Sequence, residues 1–383
     1  MRVISTEKHS IKLWLDDIEE GALEQAKNLA NLPFVFRHVA LMPDAHQGYG
    51  MPIGGVMATQ ARYIIPNAVG VDIGCGMCAV KTSLTCCDID QLKNIIKQIR
   101  DMVPVGQSHH KSPQDESYMP RLSSGLLVVE REYLSALHQI GTLGGGNHFI
   151  EIQQGDDGYV WIMIHSGSRN IGYKVAHHYN QVAVDLNKKW CTSVPPEWGL
   201  AYLPLDSREG QAYLSEMEYC VRFALENRRL MMNRVKECFT TDVSFSEMIN
   251  IAHNYAAMEH HFGCNVMVHR KGATKAYLGD TGIIPGSQGS MSYIVKGKGE
   301  RESFMSCSHG AGRRMGRKQA KRELSLASEI ARLDSMGVVH SIRSENDLDE
   351  AAGAYKDISI VMDNQKDLVD IVVELRPLAV VKG

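Results

Sequence analysis

The 383-residue chain has no apolar run of about 18 residues, so no membrane-spanning helix is expected. Its opening, MRVISTEKHSIKLW, lacks the apolar core of a secretory signal, and the expected location is the cytoplasm. It has no excess of one charge: 41 Lys and Arg face 44 Asp and Glu. That balance argues against a histone-like polycation but leaves room for a local basic groove. There is no internal repeat, no low-complexity tract and no linker, which points to one domain over residues 1–383. The glycine patterns GGGNH, HSGSRNIG and SHGAGR fit neither the Rossmann nor the P-loop spacing, and no HExxH is present. Nine cysteines, odd in number and scattered, do not make a disulfide framework and are expected to be thiols.

What the chain does have is histidine, 16 in all, several beside glycine. The apolar spacing predicts helices over 16–32, 88–103 and 173–190. It predicts mostly helix over 208–262 and a basic helix over 313–324. Short apolar runs broken by glycine and proline predict strands over 34–80 and 264–307, with a buried strand at 159–165. The tail is expected to form one helix and a final strand, and the polar stretch 105–120 a mobile loop. The expected fold class is α+β, a single compact domain with mixed central sheets surrounded by helices.

Five segments carry candidate chemistry. GVDIGCG sets Asp72 and Cys75 three residues apart among glycines. A carboxylate with a thiolate suits a transition metal better than Mg²⁺ or Ca²⁺, although the same residues also suit a tight turn with a solvated Asp and a buried Cys. LGGGNHFIEI and IMIHSGSRNIG place His148 and His165 beside glycine-rich turns. The second turn feeds a helix whose free N–H groups, with Ser168 and Arg169, could take a phosphate; each histidine could equally be a hydrogen-bonded core residue. INIAHNYAAMEHHFG is expected on a helix, with His253 and His260 sharing a face; a solvated histidine cluster is the plainer reading. In SCSHGAGRRMGRKQAKRE, His309 sits among small residues and its ring is easily approached. Beyond it, Arg313, Arg317 and Lys321 recur every four residues, as do Arg314, Lys318 and Arg322. On a helix they would make a broad cationic face able to neutralise phosphates, or simply a solvated one.

Taken together these segments closely resemble the RtcB family of RNA ligases. The resemblance runs from PFVFRHVALMPDAHQGYGMPIGG through GVDIGCG, LGGGNHFIE, HSGSRNIG and AHNYAAMEHHFG to PGSQG, SHGAGR and the terminal VVKG. It implies an enzyme joining RNA 3′-phosphate or 2′,3′-cyclic phosphate ends to 5′-hydroxyl ends, using GTP and two Mn²⁺ ions, in RNA repair or tRNA splicing. By the same resemblance the metal ligands are Asp72, Cys75, His148, His165 and His253, with the Cys75 thiolate bridging the two ions. His309 is the residue that is guanylylated. Asn147 sits against the triphosphate or metals. Phe149, Glu151, Ser287, Tyr355 and Lys382 border guanine, and Gly310, Ala311 and Gly312 help wrap the nucleotide. A helper protein is a further expectation, of unknown identity. The chain departs from the family where Asn170 stands for an expected glycine, and in loop 105–120, which is less basic than expected. Two other readings use the same residues: a metal-dependent phosphohydrolase acting on RNA ends without GTP, and a non-catalytic RNA-binding protein using the 313–324 face.

Overall fold

Apolar runs that alternate with nothing polar are explained by two sheets, each buried on both faces. The computed structural model describes all 383 residues. The first sheet has six strands in the order Arg2–Ile4, Ser10–Leu13, Val35–Tyr49, Met51–Gln60, Cys264–Lys271, Asn254–His261. Its Val39, Leu41 and Met57 point to a core shared with the Glu20–Ala30 helix. Its Ala40, Met42, Val56 and Ala58 point the other way, toward the Ile358–Asp363 helix. The period of two along a strand sends neighbouring residues to opposite cores, so both must be apolar. Ser10–Leu13 runs parallel to Val35–Tyr49 and the remaining pairs are antiparallel, so the sheet is mixed.

The second sheet has seven antiparallel strands in the order Ile249–Ala252, Gly76–Lys81, Val160–Ser166, Phe149–Gly155, Val369–Lys382, Ser292–Gly297, Thr281–Ile284. Ile150, Ile152, Ile162 and Ile164 pack on Leu92, Ile95, Ile96 and Ile99 of the Ile89–Met102 helix. That helix starts where its sequence says it should: Asp88 accepts from the N–H groups of Asp90 and Gln91, and the Gln91 side chain returns the favour. Phe149, Trp161 and Met163 face the opposite core, closed by Leu333, Val338 and Ile342.

Three expectations are corrected. Residues 208–262 are not mostly helical: the Arg208–Glu237 helix ends early, and 249–261 form the strands Ile249–Ala252 and Asn254–His261. Asn254–His261 turns through Phe262 and Gly263, both at positive φ, and pairs back with Cys264–Lys271. A glycine able to make that reversal, followed by an apolar run, decides for a hairpin over a helix. His253 and His260 therefore share no helix face; His260 is exposed and bonds Asn265. The basic helix covers only Arg317–Glu323, because Arg313 is held in a bridge to Tyr355. The helix after His165 begins at Arg169 rather than 173.

Candidate active site

The strand register gathers the metal-type residues at one end of the seven-stranded sheet. Gly76 pairs with Ser166, Met77 with His165, Phe149 with His165 and Ala252 with Gly76. Cys75, His148, His165 and His253 are thus each within one residue of a strand end in four adjacent strands. His253 lies where the chain leaves this sheet and enters the six-stranded one, its N–H donating to Cys75 O at 2.8 Å. The Cys75 Sγ lies 3.4 Å from His148 Nε2 and 3.3 Å from His165 Nε2. His148 Nε2 is 3.1 Å from Asp72 Oδ2, and His165 Nε2 is 3.4 Å from His253 Nε2. All five expected ligands therefore converge, in two groups that meet at Cys75. Gly167 is required for this approach, since a Cβ there would stand 2.1 Å from Asp72 Oδ1.

The imidazoles are presented in the right form. His148 Nδ1 donates to Leu143 O at 2.9 Å and His165 Nδ1 to Asn147 O at 3.1 Å, which leaves each Nε2 lone pair aimed at the thiol. Burial holds His165 and His253 well below the ordinary histidine range, so both are neutral. Burial would raise the Asp72 carboxyl, but the polar and charged groups around it, the Arg169 guanidinium among them, together lower it to about 2. Burial pushes the Cys75 thiol well up, and Asp72 adds to this, so ionising it calls for a strong local cation. One sulfur, three imidazole nitrogens and one carboxylate, with His253 Nδ1 buried and unpartnered, form a donor set that fits a transition metal.

A second group forms where Asp44, on the Val35–Tyr49 strand of the six-stranded sheet, meets a separate two-stranded ribbon. Ser306–Ser308 pairs with Ala273–Lys275 and delivers His309 so that its ring centroid is 4.7 Å from that of His253. His309 Nδ1 donates to Asp44 Oδ2 at 2.6 Å, and the His309 N–H bonds the same oxygen at 3.1 Å. Asp44 is fully buried. Burial alone would raise its carboxyl, yet His309, His46 and Lys356 hold it below the ordinary value. Lys356 also grips the chain on both sides of Asp44, through Pro43 O and Ala45 O. Gly312 passes so close that a Cβ would stand 2.2 Å from Asp44 O, and its φ of +73° suits glycine alone.

Between the two groups opens a cleft. Every residue expected at the nucleotide lines it: Asn147, Phe149, Glu151, Ser287, Gly310, Ala311, Gly312, Tyr355 and Lys382, with His309 and His165. Glu151, at the buried end, bonds the Gln153 amide at 2.7 Å, and burial pushes its carboxyl up to about 7. The sequence reading missed several residues here. Asp44 and His46 lie in PDAHQGYG, where a carboxylate breaking an apolar strand was a signal that could have found them. Glu350, hidden in the acidic run DLDE, binds Arg313 at 3.1 Å, Arg317 at 2.8 Å and the Tyr355 hydroxyl. Lys321 pairs with Asp349, so the inner row of the expected cationic face is largely neutralised by the protein itself. Asn170 is helical: its N–H donates to Gln139 and its amide to Glu132, while the positive φ of 59° falls on Arg169.

Comparison with known proteins gives one answer. The family model described as tRNA-splicing ligase RtcB matches residues 25–127 and 120–383. The chain is 38% identical to RNA-splicing ligase RtcB of Escherichia coli K12, over 100% of this chain and 99% of that protein. It is 37% identical to RNA-splicing ligase RtcB1 of a second E. coli strain, ATCC 25922, with the same coverage. It is 32% identical to tRNA-splicing ligase RtcB of Thermococcus kodakarensis, over 95% of this chain and 92% of that protein.

Proposed function

From the premise that this chain belongs to the RtcB family, we infer that it is an RNA ligase of repair or splicing that seals 3′-phosphate or 2′,3′-cyclic phosphate ends to 5′-hydroxyl ends with GTP. The observation that carries the reading is His309: a ring beside the five-donor cluster, fixed through Nδ1, and lining the one cleft where the expected nucleotide residues meet.

The Asp44 carboxylate accepts the Nδ1–H hydrogen bond and keeps the proton on Nδ1, so the Nε2 lone pair is the nucleophile. Nε2 attacks the α-phosphorus of GTP; the P–N bond forms as the bond to the β-phosphate oxygen breaks, and pyrophosphate leaves. The ring gains positive charge in that step, and the Asp44 carboxylate stabilises it. The GMP then passes to an RNA 3′-phosphate, restoring His309. The 5′-hydroxyl of the second RNA attacks that activated phosphorus and GMP departs. A cyclic end is first opened by water to the 3′-phosphate.

Mn²⁺ is the metal we propose, and Asp72, Cys75, His148, His165 and His253 would hold it, as two ions. When bound it screens the phosphate oxygens and stabilises charge developing on them. Asn147 stands between this cluster and the cleft, in reach of the triphosphate. Phe149, Ser287, Tyr355 and Lys382 enclose the base, and Glu151 accepts from the N–H edge of guanine. Gly310 and Ala311 leave room beside His309 for an RNA end.

Labelled GTP with Mn²⁺, followed by denaturation, tests the reading. Label should stay on the wild type and be absent from His309→Ala. RNA ends processed without GTP and without joined product would instead favour the phosphohydrolase.

A further inference from the structure

We propose that one RNA strand leaves the active site along the Ile89–Met102 helix, its phosphates held by Lys93, Lys97 and Arg100; this rests on the ligase reading above. The three cations follow one another at intervals of four and three residues, about one per 5.4 Å turn, on one exposed flank of the helix beside the Leu92, Ile95, Ile96 and Ile99 stripe. They differ from the more obvious basic helix. Arg313, Arg317 and Lys321 are taken up by Glu350 and Asp349, whereas Lys93, Lys97 and Arg100 enter no ion pair.

The row has a groove beside it. Two open clefts touch the two ends of the helix, one at Ile89 and Lys93 and one at Arg100, with Lys97 between them, and residues of 337–347 wall both. The far one, about 810 Å³, takes Lys93 and Arg343. The near one, about 830 Å³, takes Arg100 and Gly146, and shares Gln288, Glu350 and Lys382 with the nucleotide cleft. Gly146 immediately precedes Asn147 and the His148 ligand, so the near cleft opens onto the reaction centre. The acids lining these clefts each have a partner within the protein, Asp349 through Lys321 at 3.5 Å. Asp347 accepts from the Arg343 and Ser344 N–H groups, Asp334 holds His340, and Glu350 binds two arginines. A polar, open trough with one regular cationic edge suits a flexible phosphate backbone rather than a folded protein partner.

The test is binding of a single-stranded RNA of about a dozen nucleotides with a 3′-phosphate, by fluorescence anisotropy, at several salt concentrations. Joining of RNA ends by the wild type is read first. Lys93→Ala, Lys97→Ala and Arg100→Ala combined should weaken binding at least about ten-fold and lower the salt slope by about two. The corresponding Lys93→Arg, Lys97→Arg, Arg100→Lys protein should bind as the wild type does. Arg314→Ala, Lys318→Ala and Arg322→Ala combined should stay within about two-fold. With a dinucleotide the wild type and the triple alanine protein should bind alike. An unchanged affinity and slope overturns the groove while leaving the ligase reading intact. A loss that persists with the dinucleotide also overturns it, because the damage then lies in the reaction centre. A wild type that joins no ends overturns both.

Discussion

The candidate site holds its histidines by different partner groups, and on the proposed reading the difference separates a metal donor from a nucleophile. On the seven-stranded sheet, His148 and His165 are oriented through Nδ1 by the main-chain carbonyls of Leu143 and Asn147. A carbonyl fixes the ring and its tautomer without adding charge, which suits a neutral ligand. His309, at the end of a separate two-stranded ribbon, is oriented by the buried carboxylate of Asp44 from the six-stranded sheet. A carboxylate fixes the same tautomer and also stabilises an imidazolium, which suits a ring that must carry positive charge while bonded to phosphorus. The sheets meet at His253, so the two chemistries are adjacent but built on separate supports.

If the supports are separate, damage to one should spare the other. The largest effect is expected from Cys75→Ala, which takes the atom common to both donor groups. Mn²⁺ binding, followed by electron paramagnetic resonance, should fall at least about a hundred-fold, and labelling by GTP should disappear with it. His309→Ala should also abolish labelling, yet keep Mn²⁺ binding within a few-fold of wild type. Loss of metal from both proteins would mean that the two groups are one unit and would break the comparison.

Much of this was legible in the sequence, and the illegible part has a physical pattern. The Ile89–Met102 helix and the buried strand that carries His165 announce themselves, because local periodicity and caps decide them. The candidate ligands and His309 could be named only through the family resemblance, which rests on long motifs beside glycine turns. The strands around His253 were misread as helix, since hairpin pairing between Asn254–His261 and Cys264–Lys271 is a tertiary choice that a run such as NYAAMEHH does not display. Asp44 and Glu350 escaped for a related reason. Each gains its meaning only from a partner 265 residues away for Asp44, or 37 and 33 for Glu350, and no local pattern encodes such a partner. The same holds for the basic run 313–324, whose inner cations are spent on acids that fold back onto them.

A smaller effect should sharpen the contrast between carbonyl and carboxylate. Asp44→Asn keeps an oxygen that can accept the Nδ1 proton but removes the charge. Labelling should slow by about a hundred-fold, while Mn²⁺ binding is unchanged. A rate equal to wild type would mean that Asp44 only positions the ring, as the carbonyls do for His148 and His165.

The smallest effect is expected at Glu151, where the cleft itself sets the charge. Burial pushes this carboxyl up to about 7, opposed by the Gln153 amide and by Lys382. The raised value means that the folded, nucleotide-free protein favours the neutral acid. As pH climbs from the ordinary carboxylate range through about 7, the unfolded chain ionises first and the folded state loses stability. Glu151→Gln removes that dependence, so at pH 8 the nucleotide-free variant should be more stable than wild type by an amount on the order of 2–3 kcal/mol, and near pH 4 the two should be equal. Binding should run the other way. The ionised carboxylate is the form that accepts from the guanine N–H edge, so wild-type GTP affinity should rise as pH passes about 7. The variant should bind about ten-fold more weakly at pH 8, consistent with loss of one charged hydrogen bond. Thermal unfolding and GTP titration across pH check both halves. A variant that gains stability yet binds GTP as well as wild type would leave Glu151 a buried acid with no part in recognising the base.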